Sequence, residues 1–153
     1  MIYIASDHGG FELKNKIVKF LKSKDIEVKD MGPPNHDPED DYPDFVIPVV
    51  MNVLDDRENN RGILLCRNGV GVDMFANKFK GVRCALSWDP KHAKSSKIDD
   101  NTNMLALPAD YLTEKDAFEI VETWIHESFG GAERHKRRLR KVADVERVFK
   151  DIC

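Results

Sequence analysis

The chain has 153 residues, of which 41% are hydrophobic and 33% are charged, and its formal net charge is −3. This length suits one domain, so residues 1–153 are expected to fold as a single domain. The composition excludes a disordered chain, and the small net charge gives no general reason to expect nucleic acid or a membrane as a partner. No apolar run approaches the ~20 residues needed to span a bilayer.

The cysteines indicate the compartment. Cys66, Cys84 and Cys153 are an odd number with no short spacing between them. This argues against a disulfide framework and against a zinc site, and it is typical of a reducing compartment. The apolar start of the chain is also too short and too soon interrupted for a signal peptide. We therefore expect a cytoplasmic protein without a metal site.

The first half of the chain alternates short apolar runs with segments of helical periodicity. In chain order the pattern predicts a strand over 2–6, a helix over 11–24, a strand over 26–32, a loop over 33–43 and a helix over 44–56. Four prolines and several acidic residues lie in the loop, which is typical of irregular structure. Pro48 is expected to lie in the first turn of the second helix or to kink it.

The second half continues this alternation. The pattern predicts a strand over 62–66, a glycine turn, a helix through 74–78, a strand over 82–87, a short helix over 89–97, a strand over 103–108, a helix over 113–129 and a last helix over 134–152. Thr113 and Asp116 give the helix over 113–129 a capping-box start. The last helix carries an apolar stripe made of Val142, Val145, Phe149 and Ile152.

Alternating strands and helices predict an α/β fold, a Rossmann-like three-layer sandwich in which a five-stranded parallel sheet has helices on both faces. In such folds ligands bind beyond the carboxyl ends of the strands, near a topological switch point. Four segments follow strands and are therefore expected around one crevice: SDHGG at 6–10, CRNGVG at 66–71, SWD at 87–89 and LPAD at 107–110.

The glycine turn is the first candidate for a ligand site. Gly69 and Gly71 permit positive φ angles and let backbone N–H groups face outward at the start of a helix, which suits a phosphate or a developing oxyanion. The alternative is a plain strand-to-helix turn. A dinucleotide site, with Asp89 as its acidic residue, is disfavoured because Met74 stands at the third glycine position and no second domain remains.

Cys66 ends an apolar strand and has two interpretations. It is an acid–base or nucleophilic thiol activated by the helix that follows, or it is a buried, inert core residue. From the local sequence the inert interpretation is favoured. Cys84 lies inside a strand and is expected in the core, whereas Cys153 is expected to be an exposed bystander.

Three further side chains near the strand ends are candidates. Asp7 and His8 follow the first strand, where a titratable pair can bind sugar hydroxyls or phosphate. The alternative for Asp7 is that it caps the first helix. Tyr42 follows the acidic loop and either lines a pocket or packs.

The basic segment near the C-terminus offers a phosphate site. Arg134 and Arg138 are four residues apart and so share a helix face, with His135 beside them, and together they can bind a phosphate. The alternative is a solvated basic face. Binding of nucleic acid through RHKRRLRK is disfavoured, because no aromatic platform accompanies the charge.

Several segments, taken together, resemble a known family over residues 1–142. They are ASDHGGFELK, DYPDF, GILLC, GVG, ANK, GVRCAL, NTNMLALPA and GG..RH..R. They are similar in order and spacing to the ribose-5-phosphate isomerase B family, which includes the galactose-6-phosphate isomerase subunits. The resemblance implies an aldose–ketose isomerase that acts on a phosphorylated sugar, with ribose 5-phosphate to ribulose 5-phosphate as the first expectation, and with no metal or cofactor.

The resemblance also implies roles for the glycine turn. In the family the sugar ring is opened, and a cysteine thiolate then moves a proton between C1 and C2 through a cis-enediol; Cys66 matches that base. The backbone amides of Asn68, Gly69, Val70 and Gly71 match those that hold the enediolate oxygen, a role often worth ~3 kcal/mol per donor.

Contacts to the sugar and the phosphate follow in the same way. Asp7 and His8 match residues that contact the sugar and phosphate, while Arg134 and Arg138 match phosphate ligands. The family works as homodimers or homotetramers with sites at the subunit interface. The last helix is accordingly expected to lie at that interface.

The chain departs from the family pattern beside the thiol. Where the family commonly has Cys-Gly-Thr-Gly, this chain has Cys66, Arg67, Asn68 and Gly69. Asn68 keeps a hydrogen-bonding side chain but cannot pass a hydroxyl proton. Arg67 adds a cation that can favour the thiolate or hold an anionic group.

Further departures concern ring opening and phosphate binding. Asp99, Asp100 and Asn101 stand where the family has His-Asn-Asp, so the histidine responsible for ring opening is replaced by Asp99. Asp99 can serve as an acid–base only if burial or its neighbour Asp100 makes it hold its proton more tightly. Asp110 aligns with a family arginine that binds phosphate. Two extra residues, at 132–133, precede Arg134.

These departures leave two hypotheses open. The first is an active isomerase, and the second is a sugar-phosphate binder that is non-catalytic, altered in specificity or dependent on a paralogous subunit. The expected catalytic residues are Cys66, Asn68 and Asp99, and the expected substrate-binding residues are Asp7, His8, Tyr42, Arg67, Gly69, Val70, Gly71, Asp100, Arg134 and Arg138.

Overall fold

The computed structural model describes residues 1–148 and confirms the predicted α/β fold, with a five-stranded parallel sheet and helices on both faces. The strands are β1 (Ile2–Ser6), β2 (Val28–Asp30), β3 (Arg61–Cys66), β4 (Cys84–Leu86) and β5 (Met104–Pro108). The helices are α1 (Phe11–Ser23), α2 (Tyr42–Asp55), α3 (Val70–Ala76), α4 (Pro90–Asp100), α5 (Glu114–His126) and α6 (Glu133–Val148). Two 3₁₀ turns, His8–Gly10 and Ala109–Tyr111, follow β1 and β5.

The strand order creates a switch point at the centre of the sheet. The order is β2-β1-β3-β5-β4, and every pair of neighbours is parallel. From β1 the chain turns outward to β2, and from β3 it turns to the opposite side of the sheet. The connections therefore diverge between the carboxyl ends of β1 and β3, where a ligand crevice is expected in an open α/β sheet.

The core has two layers because successive strand residues point to opposite faces of the sheet. Ile63 and Leu65 of β3 pack with α1, α4 and α5 on one face. Leu64 and Cys66 pack with α2 and α3 on the other. Cys66 therefore belongs to the layer that holds the glycine turn.

Helix α2 begins earlier than the sequence pattern indicates. It starts at Tyr42, with Pro43 in its first turn, so Pro48 lies inside the helix. The expectation of Pro48 in the first turn was wrong, because Pro43 takes that place. Pro48 cannot donate a backbone hydrogen bond, but its carbonyl oxygen accepts one from Asn52 Nδ2 at 2.7 Å.

Two other boundaries affect the site. Helix α4 continues to Asp100, past the predicted end at 97, and α6 begins at Glu133. The predicted stripe residues Phe149 and Ile152, and Cys153, lie outside the described residues. Within residues 1–148, no helix is both long enough and apolar enough to cross a membrane.

Candidate active site

The carboxyl ends of β1 and β3 bring two candidate segments together. Asp7 N donates to Leu65 O at 3.3 Å, so the turn after β1 lies against the end of β3. Gly10 packs on the same strand, since a methyl group there would lie 2.6 Å from Leu65 Cβ. The sequence therefore placed Asp7 and Cys66 correctly at one edge of the sheet.

Cys66 is buried, with 5% of its surface exposed, and its sulfur has a donor beside it. Gly69 N donates to Cys66 Sγ at 3.1 Å. Asn68 Oδ1 lies 3.9 Å from the same sulfur and accepts from Val70 N at 3.0 Å. The glycine turn therefore directs the N–H of Gly69 at the sulfur.

The glycine turn depends on the absence of a side chain at Gly69. Its φ is +75°, and a methyl group there would lie 2.4 Å from Leu86 Cδ1 and 3.1 Å from the backbone carbon of Leu107. Glycine adopts such an angle without strain, and a side chain here would also clash. The amides of Gly69 and Val70 already have acceptors within the turn, so the preorganised element is the turn around the sulfur.

Tyr42 packs against this turn. A methyl group on Gly71 would lie 2.9 Å from Tyr42 Cε1, and the Tyr42 ring meets Phe75 edge-on at 6.3 Å between centroids. Tyr42 therefore packs on the glycine turn that follows Cys66, as one of its two interpretations predicts.

Asp7 and His8 have distinct surroundings. Asp7 caps the 3₁₀ turn, and its Oδ1 accepts from Gly9 N and Gly10 N at 2.9 and 3.2 Å, whereas the capping alternative expected it at the start of α1, where Gly10 stands instead. Burial raises the pKa of its carboxyl group. His8 Nδ1 lies 2.7 Å from Asp40 Oδ1, and this hydrogen bond raises the pKa of His8.

Asp40 is a site residue that the sequence did not reveal. It also accepts from His8 N at 2.9 Å, while its Oδ2 is buried without a hydrogen-bond partner among the described residues. Asp40 lies in the acidic loop, 32 residues from His8. No spacing in the sequence signals such a pair.

Arg67 spans the mouth of this edge. Its Nη1 lies 3.6 Å from Asp110 Oδ2, and its backbone oxygen accepts from Asp110 N at 2.9 Å. A methyl group on Gly9 would lie 2.4 Å from Arg67 Cγ, so the arginine stem crosses the turn after β1. The acid that the resemblance aligns with an arginine is thus paired with the cation that it aligns with a glycine.

The remaining predicted residues lie at the other edge of the sheet. Helix α4 starts after β4 and returns to the amino ends of the strands, where Arg83 Nε donates to Asn101 O at 2.7 Å just before β4 begins. Asp99 and Asp100 end that helix. Within a single chain, Asp99 and Asp100 therefore lie at the opposite edge of the sheet from Cys66.

Arg134 and Arg138 lie with this second group. They are exposed on α6, whose first turn is adjacent to the end of α4, because His135 Nδ1 lies 3.5 Å from Asp99 Oδ1. The chain thus divides the candidate residues into two sets. One set lies with Cys66 at the carboxyl edge of the sheet, here called the thiol edge. The other set, Asp99 and Asp100 with the two arginines, lies at the amino edge. Among residues 1–148, no three His, Cys, Asp or Glu side chains are arranged to hold a metal ion.

The fold and the thiol edge define a doubly wound α/β protein with a candidate acid–base site at its switch point, and comparisons with known proteins identify the family. The family model for ribose/galactose isomerase matches residues 2–142. The chain belongs to this sugar-phosphate isomerase family, so the resemblance seen in the sequence is confirmed.

The relatives agree with this assignment. The protein described as probable ribose-5-phosphate isomerase B of Mycoplasma genitalium is 42% identical over 146 residues, which cover 95% of each chain. A crystal structure of ribose-5-phosphate isomerase B from that organism, with bound ribulose-5-phosphate, has a TM-score of 0.92, again with 95% of each chain covered. The enzyme from Thermotoga maritima has a TM-score of 0.88 at 40% identity, covering 94% of this chain and 97% of the other.

Proposed function

We propose that this protein interconverts ribose 5-phosphate and ribulose 5-phosphate, with Cys66 as the base. The Gly69 N–H on Cys66 Sγ is the observation that carries the proposal, because it places a hydrogen-bond donor 3.1 Å from the sulfur that is proposed as the base. The bound ribulose-5-phosphate in the Mycoplasma genitalium structure supports the choice of sugar.

The proposed reaction moves two protons. The Cys66 thiolate takes the proton from C2 of the open-chain aldose and returns it to C1, while a second proton moves from O2 to O1 through the cis-enediol. Negative charge develops on the enediol oxygens, where preorganised N–H donors lower the barrier. The Asn68 side chain, whose Oδ1 accepts from Val70 N, is assigned to these oxygens through its Nδ2, together with the N–H of Gly71, because the N–H groups of Gly69 and Val70 already have acceptors within the turn.

The same edge offers groups for the sugar and phosphate. His8 is assigned to the phosphate because Asp40 raises its pKa and so favours the cation. Arg67 is exposed at the mouth and is assigned to an anionic group of the ligand. Asp7 is assigned to the sugar, and Tyr42 forms the wall beside the glycine turn.

A second copy of the chain is proposed to complete the site. Helix α6 leaves a groove of about 590 Å³ beside β4 and α4, and Val142 and Val145 on that groove are 49% and 55% exposed. Arg134 and Arg138 share their helix face, since the four residues follow at intervals of four, four and three. A copy that covers the valines therefore meets the two arginines.

We therefore propose a homodimer or homotetramer in which Arg134, Arg138, Asp99 and Asp100 of one chain face Cys66 of another. Asp99 is assigned to ring opening and Asp100 to sugar binding. The free thiols Cys66 and Cys84 support a reducing, cytoplasmic location.

A non-catalytic or altered-specificity sugar-phosphate binder is the second candidate. It is favoured by Asp110, whose carboxylate lies at the mouth where a phosphate is expected to bind, and by Asp99 in place of the ring-opening histidine. Such a protein binds ribose 5-phosphate without turnover.

The two candidates are separated by proton exchange. Wild-type protein, Cys66→Ala and Cys84→Ala are incubated with ribulose 5-phosphate in D₂O, and deuterium at C1 is followed by NMR. We expect exchange in the wild type and in Cys84→Ala, and a loss of at least about 100-fold in Cys66→Ala. Binding without exchange in the wild type favours the binder, and full exchange in Cys66→Ala contradicts the proposed base.

A further inference from the structure

His135 is a buried histidine that the proposed mechanism does not yet use. It is 5% exposed, and within residues 1–148 its Nδ1 has no hydrogen-bond partner. The nearest acidic oxygen is Asp99 Oδ1 at 3.5 Å, just beyond hydrogen-bond length. A buried polar atom without a partner is uncommon in folded proteins, so the group that His135 Nδ1 faces indicates what the side chain does.

The backbone around the pair fixes the histidine behind the carboxylate. Gly130 N donates to Ile98 O at 2.9 Å, which ties the segment before α6 to the end of α4. His135 N donates to Ala132 O at 2.9 Å and so begins the helix. Asp99 itself is 48% exposed, so the burial expected of an acid–base residue at this position is absent within one chain. Its carboxylate has one side toward His135 and one side toward solvent.

Ala132 and Glu133 explain how the chain makes this arrangement. These are the two extra residues before Arg134, and the Ala132 carbonyl accepts the first helical hydrogen bonds of α6, from His135 N and Lys136 N. Glu133 pairs with Arg140, seven residues further along the helix, at 2.6 Å. The insertion therefore forms the first turn of α6 and leaves His135 against the end of α4.

We propose that His135 is a positioning residue for Asp99, and that the two form a carboxylate–imidazole pair for opening the sugar ring. The inference rests on the proposed isomerase function and on the assignment of Asp99 to ring opening. His135 Nδ1–H donates to one carboxylate oxygen and so orients the other toward the sugar. In catalytic triads the same kind of hydrogen bond serves the opposite purpose, since there the carboxylate orients the histidine. The pair thereby takes over the task of the histidine that this chain lacks.

In the proposed ring-opening step, the Asp99 carboxylate accepts one proton and gives the same proton back. Asp99 accepts the proton of the anomeric hydroxyl O1, the C1=O1 double bond forms, and the bond between C1 and the ring oxygen O4 breaks. O4 then takes the proton back from Asp99. No net proton, electron or co-reactant is required, and His135 stays bound to the carboxylate throughout.

Two substrates separate ring opening from the later proton transfer. Ribose 5-phosphate closes into a furanose ring, whereas ribulose 5-phosphate stays open because the phosphate blocks its O5. Isomerisation of ribose 5-phosphate therefore needs ring opening, while C1 proton exchange of ribulose 5-phosphate needs only Cys66. A residue that acts on ring opening affects the first rate and spares the second.

The test compares His135→Leu with His135→Asn, and uses His126→Asn on the exposed end of α5 as the control. In His135→Leu we expect the turnover of ribose 5-phosphate to fall about 10- to 100-fold, with C1 exchange of ribulose 5-phosphate within about threefold of the wild type. His135→Asn is expected to recover much of the loss, because its amide can donate from nearly the place of Nδ1. His126→Asn should match the wild type.

Other outcomes overturn the inference. Equal losses of both rates in a folded His135→Leu protein show a structural role only, and unchanged rates show no role. If His135→Leu does not fold, Asp99→Asn is expected to show the same split, and equal losses there contradict the pair. Failure of the proposed function is recognised separately, since the wild type then shows no C1 exchange at all.

Discussion

Arg67 and Asp110 form a cross-connection at the mouth of the thiol edge, with 3.6 Å between Nη1 and Oδ2 and a backbone hydrogen bond between the same two residues. Both side chains are well exposed, at 66% and 48%, so the ion pair itself contributes little to stability. Its effect is on the ligand site. Asp110 holds the cation that Arg67 offers and adds a negative charge where a phosphate is proposed to bind.

Removing that negative charge should strengthen binding of the sugar phosphate. In Asp110→Asn the repulsion disappears and Arg67 is released, so we expect the KM for ribose 5-phosphate to fall about fivefold, as ~1 kcal/mol of Coulomb energy implies. The gain should shrink at high salt. Steady-state kinetics at two ionic strengths measure it. Asp55→Asn, an exposed acid at the end of α2, is the control, and an unchanged or raised KM in Asp110→Asn contradicts the assigned anion site.

The glycine turn can be tested for rigidity with two glycines that share a positive φ. Gly69 has φ +75° and close neighbours, whereas Gly131 has φ +67° and its nearest side-chain atom, Lys136 Cε, is 3.7 Å from the place of a methyl group. We expect Gly131→Ala to lower the free energy of unfolding by about 1–2 kcal/mol through backbone strain alone. Gly69→Ala adds a clash with Leu86 and should lose a further ~1–3 kcal/mol.

Urea denaturation of both glycine variants measures these losses, and C1 exchange measures the consequence for Cys66. Gly69→Ala moves the N–H that contacts the sulfur, so its exchange rate should fall in the fraction that remains folded. Gly131→Ala lies outside the turn and should keep the exchange rate of the wild type. Equal stabilities of the two variants would show that the space around Gly69 is not tight.

The sequence could predict the fold because the apolar pattern alone determines which elements alternate. The run over 62–66 reads as a buried strand, and Ile63 and Leu64 do pack into different layers of the core. The predicted strand ends also indicated that Asp7 and Cys66 lie at the same edge of the sheet. These are local properties of the chain, and a parallel sheet gathers all strand ends at one edge.

Other features depend on contacts that no local pattern carries. Asp40 meets His8 from 32 residues away along the chain, with α1 and β2 between them. The turns that carry Arg67 and Asp110 were expected at one crevice, because they follow the neighbouring strands β3 and β5, but the ion pair between the two side chains was not. Asp99 precedes a parallel strand and therefore lies at the amino edge, away from Cys66. A resemblance that assigns residues by position cannot say from which copy of the chain each one comes.

The contact between His8 and Asp40 predicts a pH dependence. Asp40 raises the pKa of His8 in the folded protein, so the pair stabilises the fold fully below the unfolded value of about 6.5, and this contribution is lost as the pH rises through the raised folded value. In Asp40→Asn we expect the pKa of His8 to fall. The stability difference from the wild type should be larger at acidic than at alkaline pH.

Histidine NMR titration and urea unfolding at about pH 5.5 and 8.5 test the His8 prediction across the usual histidine pKa. Asparagine at 40 still offers an oxygen to His8 N, so the backbone contact is preserved. Asp41→Asn, at the exposed neighbouring position, is the control and should leave the His8 titration unchanged. A His8 titration that is identical in the wild type and in Asp40→Asn would contradict the pair.

Lys97 predicts the opposite trend. Its Nζ donates to Thr102 O at 2.6 Å and lies 5.2 Å from the Trp124 ring centroid, and burial lowers the pKa of the amine to about 7. Between about pH 7 and the unfolded value of about 10.4 the unfolded chain binds more protons, so stability rises with pH in that window. From pH 7 to 9 the gain is at most about 2.7 kcal/mol.

Lys97→Met removes this dependence, while Lys91→Met on the exposed face of α4 should keep it. The quantity to measure is the difference in unfolding free energy between the wild type and each variant at pH 7 and pH 9. The free energy of unfolding of the wild type should increase relative to that of Lys97→Met as the pH rises. A difference that stays constant would show that Lys97 is charged across the whole range.

Subunit mixing tests whether the site is shared between copies. Cys66→Ala lacks the base, and the double variant Arg134→Ala/Arg138→Ala lacks the phosphate ligands of the other edge, so each is expected to be inactive alone. If the residues of one site come from two chains, a mixed dimer has one site with both groups intact and one site with neither. Random exchange between equal amounts then restores about a quarter of the wild-type activity, since half of the dimers are mixed. If each site lies within one chain, every site stays defective and the mixture has no activity.

Unfolding and refolding the two variants together ensures that the chains exchange, and the same variants refolded separately and then combined on ice are the control. Recovery only after joint refolding would place Arg134 and Arg138 opposite the Cys66 of another chain, which is the arrangement that the separation of the two edges in a single chain requires.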